Sequence, residues 1–201
     1  MARFAWATDL HLEAVERSDI RRFCDAIVAS DSTALLLGGD IGDARDVEEW
    51  LAFLDERLAL PIYFVLGNHD YYGSDVATVR RRMQRLASPR LQWLPTVGCV
   101  ELTEDTSLVG HGGWGDARLG DFESSPVILT DYLAIRDLGD EIDINDVLSG
   151  FARKSGLKRR LQELGSEAGV PSERARRRRP DWPHAALSSW PPRCRSRART
   201  C

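Results

Sequence analysis

The sequence predicts an α/β fold built on a mainly parallel sheet. Three observations carry this expectation. Apolar runs of strand length alternate with segments of helical periodicity over residues 1–90. Their spacing suits strand–helix–strand units, which cross over right-handedly and lay their strands parallel. Each apolar run also ends in a polar cluster, at the strand ends where open α/β sheets bind their ligands.

Phe4 to Thr8 is a short apolar run and reads as a buried strand. Ser18 is a good cap residue for a helix over roughly 19–30, with Ile20, Phe23, Cys24, Ile27 and Val28 at helical spacing. Ala34-Leu35-Leu36-Leu37 is a second buried strand. Asp43 is placed to cap a helix running to about Leu58, with Val47, Trp50, Leu51, Leu54 and Leu58 on one face. Pro61 to Leu66 is a third strand, and Val76 to Leu86 a third helix whose Arg80-Arg81-Arg82 reads as a solvated face.

After residue 90 the pattern loosens. Leu91 to Leu94, Cys99 to Leu102 and Ser107 to Gly110 read as short strands, and residues 112–125 as a Gly- and Asp-rich loop. In that loop Asp116 and Arg118 read as an ion pair beside a packed Trp114; contact of Arg118 with a phosphate oxygen is the alternative. Asn145, as a cap, to Leu164 predicts a helix with a basic middle. Residues 1–170 thus form one domain, and 171–201, made of Arg, Pro, Ser and Ala without period, a disordered tail.

Bulk properties exclude several classes. The hydrophobic fraction of 43% is ordinary for a globular protein. No apolar run approaches the ~20 residues that span a bilayer. The N-terminus reaches Asp9 too soon for a signal peptide, so the expected location is the cytoplasm. Cys24, Cys99, Cys194 and Cys201 show no C-x-x-C spacing, which argues against a zinc knuckle or redox pair. Residues 170–201 hold nine Arg against Glu173 and Asp181, a net of +7, which leaves 18 basic and 29 acidic residues, a net of −11, in the rest. If this acidic body binds an anionic ligand it needs local positive charge, and a bound metal ion would supply it.

The chemistry sits at the strand ends. Asp9 and His11, two apart, point the same way and offer a carboxylate and an imidazole to one divalent cation. A cap and a surface His explain this pair alone about as well. Asp40 follows Gly38-Gly39, where the backbone can turn hard around an ion; its rival reading is a turn residue. Gly67-Asn68-His69-Asp70 offers an amide oxygen and a proton donor after the third strand, or else a polar loop. The three in order, each closing a strand, favour function, because motifs count when their structural context agrees.

D-x-H, G-D-x-x-D and G-N-H-D, as Asp9-Leu10-His11, Gly39-Asp40-Ile41-Gly42-Asp43 and Gly67-Asn68-His69-Asp70, together resemble the calcineurin-like metallophosphoesterase family. The match is firm over about residues 3–72, and Val109 to Gly120 resembles a loop of some bacterial members. The resemblance implies a metallophosphoesterase-like αββα sandwich with two divalent metal ions, Mn, Fe or Zn. It implies that Asp9 and His11 bind the first metal, that Asp40 bridges, and that Asn68 binds the second. His69 would protonate the leaving group, oriented by Asp70. The implied reaction is hydrolysis of a small phosphomonoester or phosphodiester by a metal-bound hydroxide. No membrane partner is expected, and nucleic-acid binding through the Arg-rich tail is the less favoured reading because the body is acidic. The alternative is an impaired or inactive fragment that binds metal or ligand.

The family also carries two later His motifs. This chain has only His11, His69, His111 and His184. His184 lies in the Arg/Pro tail and His111 ahead of the expected place, so the C-terminal part of the sandwich is expected to be incomplete. Patternless Arg/Pro sequence is what a GC-rich gene yields in a shifted reading frame; a natural basic tail for anionic surfaces is the rival.

Overall fold

The computed structural model describes residues 3–113, 115–118, 120–139 and 155–167. Its centre is a parallel sheet of β1 (Phe4–Ala7), β2 (Ala34–Leu37), β3 (Ile62–Phe64) and β4 (Leu91–Trp93), in the order β1-β2-β3-β4. Between them run α1 (Arg17–Ala29), α2 (Val47–Leu58) and α3 (Val76–Met83). Strands in sequence order with right-handed crossovers put these connecting helices on one face. Their loops therefore all emerge at the carboxyl ends of the strands, side by side.

Burial follows the apolar pattern. Leu35, Ile62 and Phe64 on the inner strands are 0% exposed. The predicted face of α2, Val47, Trp50, Leu51, Leu54 and Leu58, is buried throughout. Asp55 shares that face because Arg90 grips its carboxylate with Nε at 2.6 Å and Nη2 at 3.1 Å, a bidentate pairing that makes its burial tolerable. Cys24 is a buried, free thiol, as a small core hydrophobe should be.

The first half departs from the sequence expectations in details. Ser18 does not cap α1; the helix starts two residues earlier, after Glu16, whose carbonyl accepts the Asp19 and Ile20 N–H groups. Val28 falls off the buried stripe and is 57% exposed. Asp43 does not cap α2 directly but closes the turn before it, accepting the Arg45 N–H at 2.7 Å. Arg82 is not a solvated residue: it bonds Glu48 and donates to the Ala44 carbonyl, tying α3 to α2. An Arg can satisfy several acceptors at once, so a basic run need not face water.

Past β4 the chain turns through α4 (Leu94–Val97) into a hairpin of β5 (Val100–Thr103) and β6 (Thr106–Leu108). Among the described residues the second sheet of the expected sandwich is this hairpin alone. Two short helices unforeseen in the sequence follow, α5 (Asp131–Ala134) and α6 (Arg136–Gly139), then α7 (Ser155–Glu167). The Asp137 carboxylate accepts the Val76 N–H at 2.6 Å and pairs with Arg160, linking α3, α6 and α7. Trp114, the stretch 145–154, His184 and the predicted tail from 171 lie outside the described residues.

Candidate metal centre

The ends of β1 and β2 are joined beyond the sheet by main-chain bonds. Asp9 N–H donates to Gly39 O at 3.0 Å, His11 N–H to Asp40 O at 3.0 Å, and Leu12 N–H to Ile41 O at 2.9 Å. To make them, the backbone enters the left-handed region at Asp9 (φ 55°), His11 (φ 43°) and Asp40 (φ 51°). Side-chain-bearing residues reach that region at a cost, with Asp, Asn and His the least disfavoured. Gly39 has φ 102° and packs so closely on Gly67 that a Cβ would stand 2.5 Å from the Gly67 nitrogen, so only glycine fits.

Asp70 holds this turn from below. It is 0% exposed. One carboxylate oxygen accepts the Asp40 N–H at 2.9 Å and the Gly67 N–H at 2.8 Å. The other accepts the Ile41 N–H at 2.9 Å and the Gly42 N–H at 3.1 Å. Burial pushes this carboxyl up to about 7, while the N–H groups of Gly42, Gly67 and Ile41 pull it down. Its hydrogen bonds all run to main chain, so Asp70 acts on the site by fixing the Asp40 turn. It makes no direct bond to the His69 ring.

Around that turn, ligand atoms of His11, Asp40 and His69 lie within 4.8 Å of one another. The two imidazoles meet edge to face at 4.5 Å and 79°. Asp40 Oδ1 accepts the His69 N–H at 3.0 Å, which sets the carboxylate against the third strand's loop. A Cβ on Gly67 would stand 2.1 Å from Asp40 Oδ1, so the carboxylate occupies room that exists only because residue 67 has no side chain. His11 Nδ1 lies 3.5 Å from Glu13 Oε1, a carboxylate beside the ring. Two nitrogens and an oxygen converging this way fit a divalent ion such as Mn, Fe or Zn.

The remaining predicted residues divide. Asp9 stands outside this triplet, its carboxylate accepting the Thr8 hydroxyl at 2.6 Å. Asn68 donates its amide N–H to Asp131 Oδ1 at 2.7 Å, and its Nδ2 also lies 3.3 Å from the Tyr72 hydroxyl. Among the described residues the Asn68 oxygen has no donor. Tyr72 also donates to Asp131, and its ring stacks on His69 at 4.2 Å. Burial and the Asp131 carboxylate push the Tyr72 hydroxyl up to about 12, so it stays a donor. Asp131 thus orients Asn68 directly and His69 through Tyr72. Nothing in the sequence announced it; the sole hint was the aromatic pair Tyr71-Tyr72 directly after the motif.

His111 lies outside the ligand group; its Nδ1 accepts the Gly113 N–H at 3.0 Å. Asp116 and Arg118 form the expected pair. Beside Asn68 opens a cavity of ≈ 390 Å³, bordered by Asp131 and the Gly-rich loop. No helix among the described residues is long and apolar enough to cross a membrane.

No curated protein and no solved structure is similar enough to this chain to match it. The profile of the calcineurin-like phosphoesterase family matches residues 2–161. That span contains every strand-end motif and the whole ligand cluster. Family members are hydrolases of phosphate esters, and the convergent His11–Asp40–His69 group is the metal-competent chemistry such a hydrolase needs; the chain belongs to the calcineurin-like phosphoesterase family.

Proposed function

We propose that this protein hydrolyses a phosphomonoester or phosphodiester with two divalent cations, manganese being the first to test, held by His11, Asp40 and the Asn68–His69 turn. The convergence of His11, Asp40 and His69 to within 4.8 Å is the observation that carries the reading. Asp40, set between His11 and the third strand's loop, would be shared by the two ions, and Asp9 and the Asn68 oxygen would complete the donor set. Bound divalent ions supply positive charge to a phosphoryl group and make water a usable nucleophile near neutral pH.

The chain's own residues supply the rest. Asp70 and Gly67 fix the Asp40 carboxylate before any ligand arrives. Asp131 turns the Asn68 amide so that its oxygen is presented. His69, its ring pinned by Tyr72, gives a proton to the leaving oxygen. Its place in the ligand group favours a second reading, in which it binds a cation. The catalytic unit is taken as residues 1–170 and its location as the cytoplasm.

The test is metal content with turnover. The full chain is loaded with Mn, bound metal is measured by elemental analysis, and p-nitrophenyl and bis-p-nitrophenyl phosphate are assayed beside Asp40→Asn. Asn tolerates the left-handed backbone at residue 40 and keeps an oxygen for the His69 N–H, so the substitution removes charge with little else. Two metals with turnover lost in Asp40→Asn support the proposal. Metal-free or inactive wild-type protein refutes it in favour of an impaired binding module. In the same assay, His69→Asn that keeps its metal while losing turnover marks a proton donor; loss of metal marks a ligand.

A further inference from the structure

We propose that the cavity beside Asn68 receives an uncharged aromatic group of the substrate, the part esterified to the phosphate. This rests on the phosphoesterase reading above and adds the substrate class. The position argues first. Gly67 and Asn68 belong both to the metal-site turn and to the cavity wall, so an ester whose phosphate lies at the cluster has its substituent here. At ≈ 390 Å³ the space is within the range of small-molecule sites.

The charge argues second. Among the described residues lining the cavity there is no Lys, Arg or His, and Asp131 is the one carboxylate. A substituent carrying further phosphates would lie against Asp131 with no cation to meet it. Asp131 Oδ1 already takes the Asn68 and Tyr72 donors. Its other oxygen has no partner among the described residues and suits an N–H or O–H on the incoming ring.

The walls argue third. Phe122 and Tyr132, both lining the cavity, meet edge to face at 6.2 Å and 76° and give it an aromatic wall. Leu161 closes one side, and Leu129, 45% exposed, stands open at another. A Cβ on Gly113 or Gly115 would touch nothing within 4 Å, so there is open space beside both glycines. Leu129 is the apolar side chain of this wall left half open to solvent.

The experiment uses binding, so that it does not depend on turnover. Calorimetry on the Mn-loaded full chain compares phenylphosphonate with methylphosphonate. The phenyl compound is expected to bind at least about tenfold more tightly, from burial of its ring. Leu129→Asp, at a half-exposed position that folding tolerates, should cut that preference to about threefold or less and leave methylphosphonate affinity unchanged; Leu129→Ser serves if the Asp variant does not fold. Equal affinities, or a preference that survives both variants, overturn the proposal while leaving the metal site standing. Failure of both phosphonates to bind overturns the phosphoesterase reading itself, and this proposal with it.

Discussion

Gly67→Ala tests whether the Asp40 carboxylate is placed by the absence of a side chain across from it. The added Cβ would stand 2.1 Å from Oδ1, 2.7 Å from Cγ and 2.8 Å from the Asp40 nitrogen. Ordinary contact begins near 3.4 Å, so Oδ1 must retreat by the difference, 1.3 Å. The Asp40 backbone cannot absorb this, because its N–H is held by Asp70 at 2.9 Å. The side chain must swing, and it then gives up the His69 N–H and leaves the ligand cluster. Displacement of a reacting group by an ångström costs on the order of 10²-fold in rate. Overpacking costs about 1–3 kcal/mol, and the orphaned N–H about 1–3 kcal/mol more if it stays dry. Gly73→Ala is the control. Its φ is +81° and a Cβ there meets nothing within 4 Å, so only backbone strain is added, about 1–2 kcal/mol. Manganese affinity by calorimetry, p-nitrophenyl phosphate turnover and urea midpoints are measured for both. The reasoning is refuted if Gly67→Ala keeps native metal affinity, or if Gly73→Ala loses as much.

Asp70→Ala leaves the buried N–H groups of Asp40, Ile41, Gly42 and Gly67 without acceptors. At about 1–3 kcal/mol for each that stays dry, partly offset by relief of a buried charge, urea unfolding should show a loss of about 3 kcal/mol or more; a loss under about 1 kcal/mol would deny Asp70 its supporting role. Asp131→Ala frees the Asn68 amide and the Tyr72 hydroxyl. Manganese affinity should fall about 10–100-fold with the urea midpoint little changed, and unchanged affinity would show that Asn68 is oriented without it.

The parallel half of the fold was legible because periodicity and burial are local. The buried stripe of α2 falls where its apolar spacing put it, and each polar cluster closes a strand as open-sheet topology requires. The errors came where a tertiary partner overrode a local signal. Arg82 looked solvated until Glu48 and the Ala44 carbonyl, 34 and 38 residues away, claimed it. The candidate site was legible as a set of residue types, not as a geometry. Spacing could not show that His69 would join His11 and Asp40, nor that Asp131 would meet Asn68 across 63 residues. Asp70 resembled a partner for the neighbouring ring, yet its carboxylate is consumed by main-chain donors from two loops.

The backbone itself separates the site from ordinary turns. Asp9, His11, Asp31, Asp40, Ala59 and Ala117 are the described non-glycine residues with positive φ. Ala59 ends a helix, where a left-handed residue frees the last carbonyls for capping bonds. Asp31 sits in the turn after α1 and Ala117 in the Gly-rich loop. Asp9, His11 and Asp40 end no helix. Each costs up to about 1–2 kcal/mol, and glycine in their places would remove that cost. What glycine could not supply at residues 11 and 40 is the imidazole and the carboxylate that meet His69 across the two loops. The opposing stabilisation is visible in the three main-chain bonds that join the loops and in the acceptors Asp70 lends to the Asp40 turn. Strain kept at these strand-end residues, and offset by the buried Asp70 carboxylate, is what a site assembled ahead of its ligand requires.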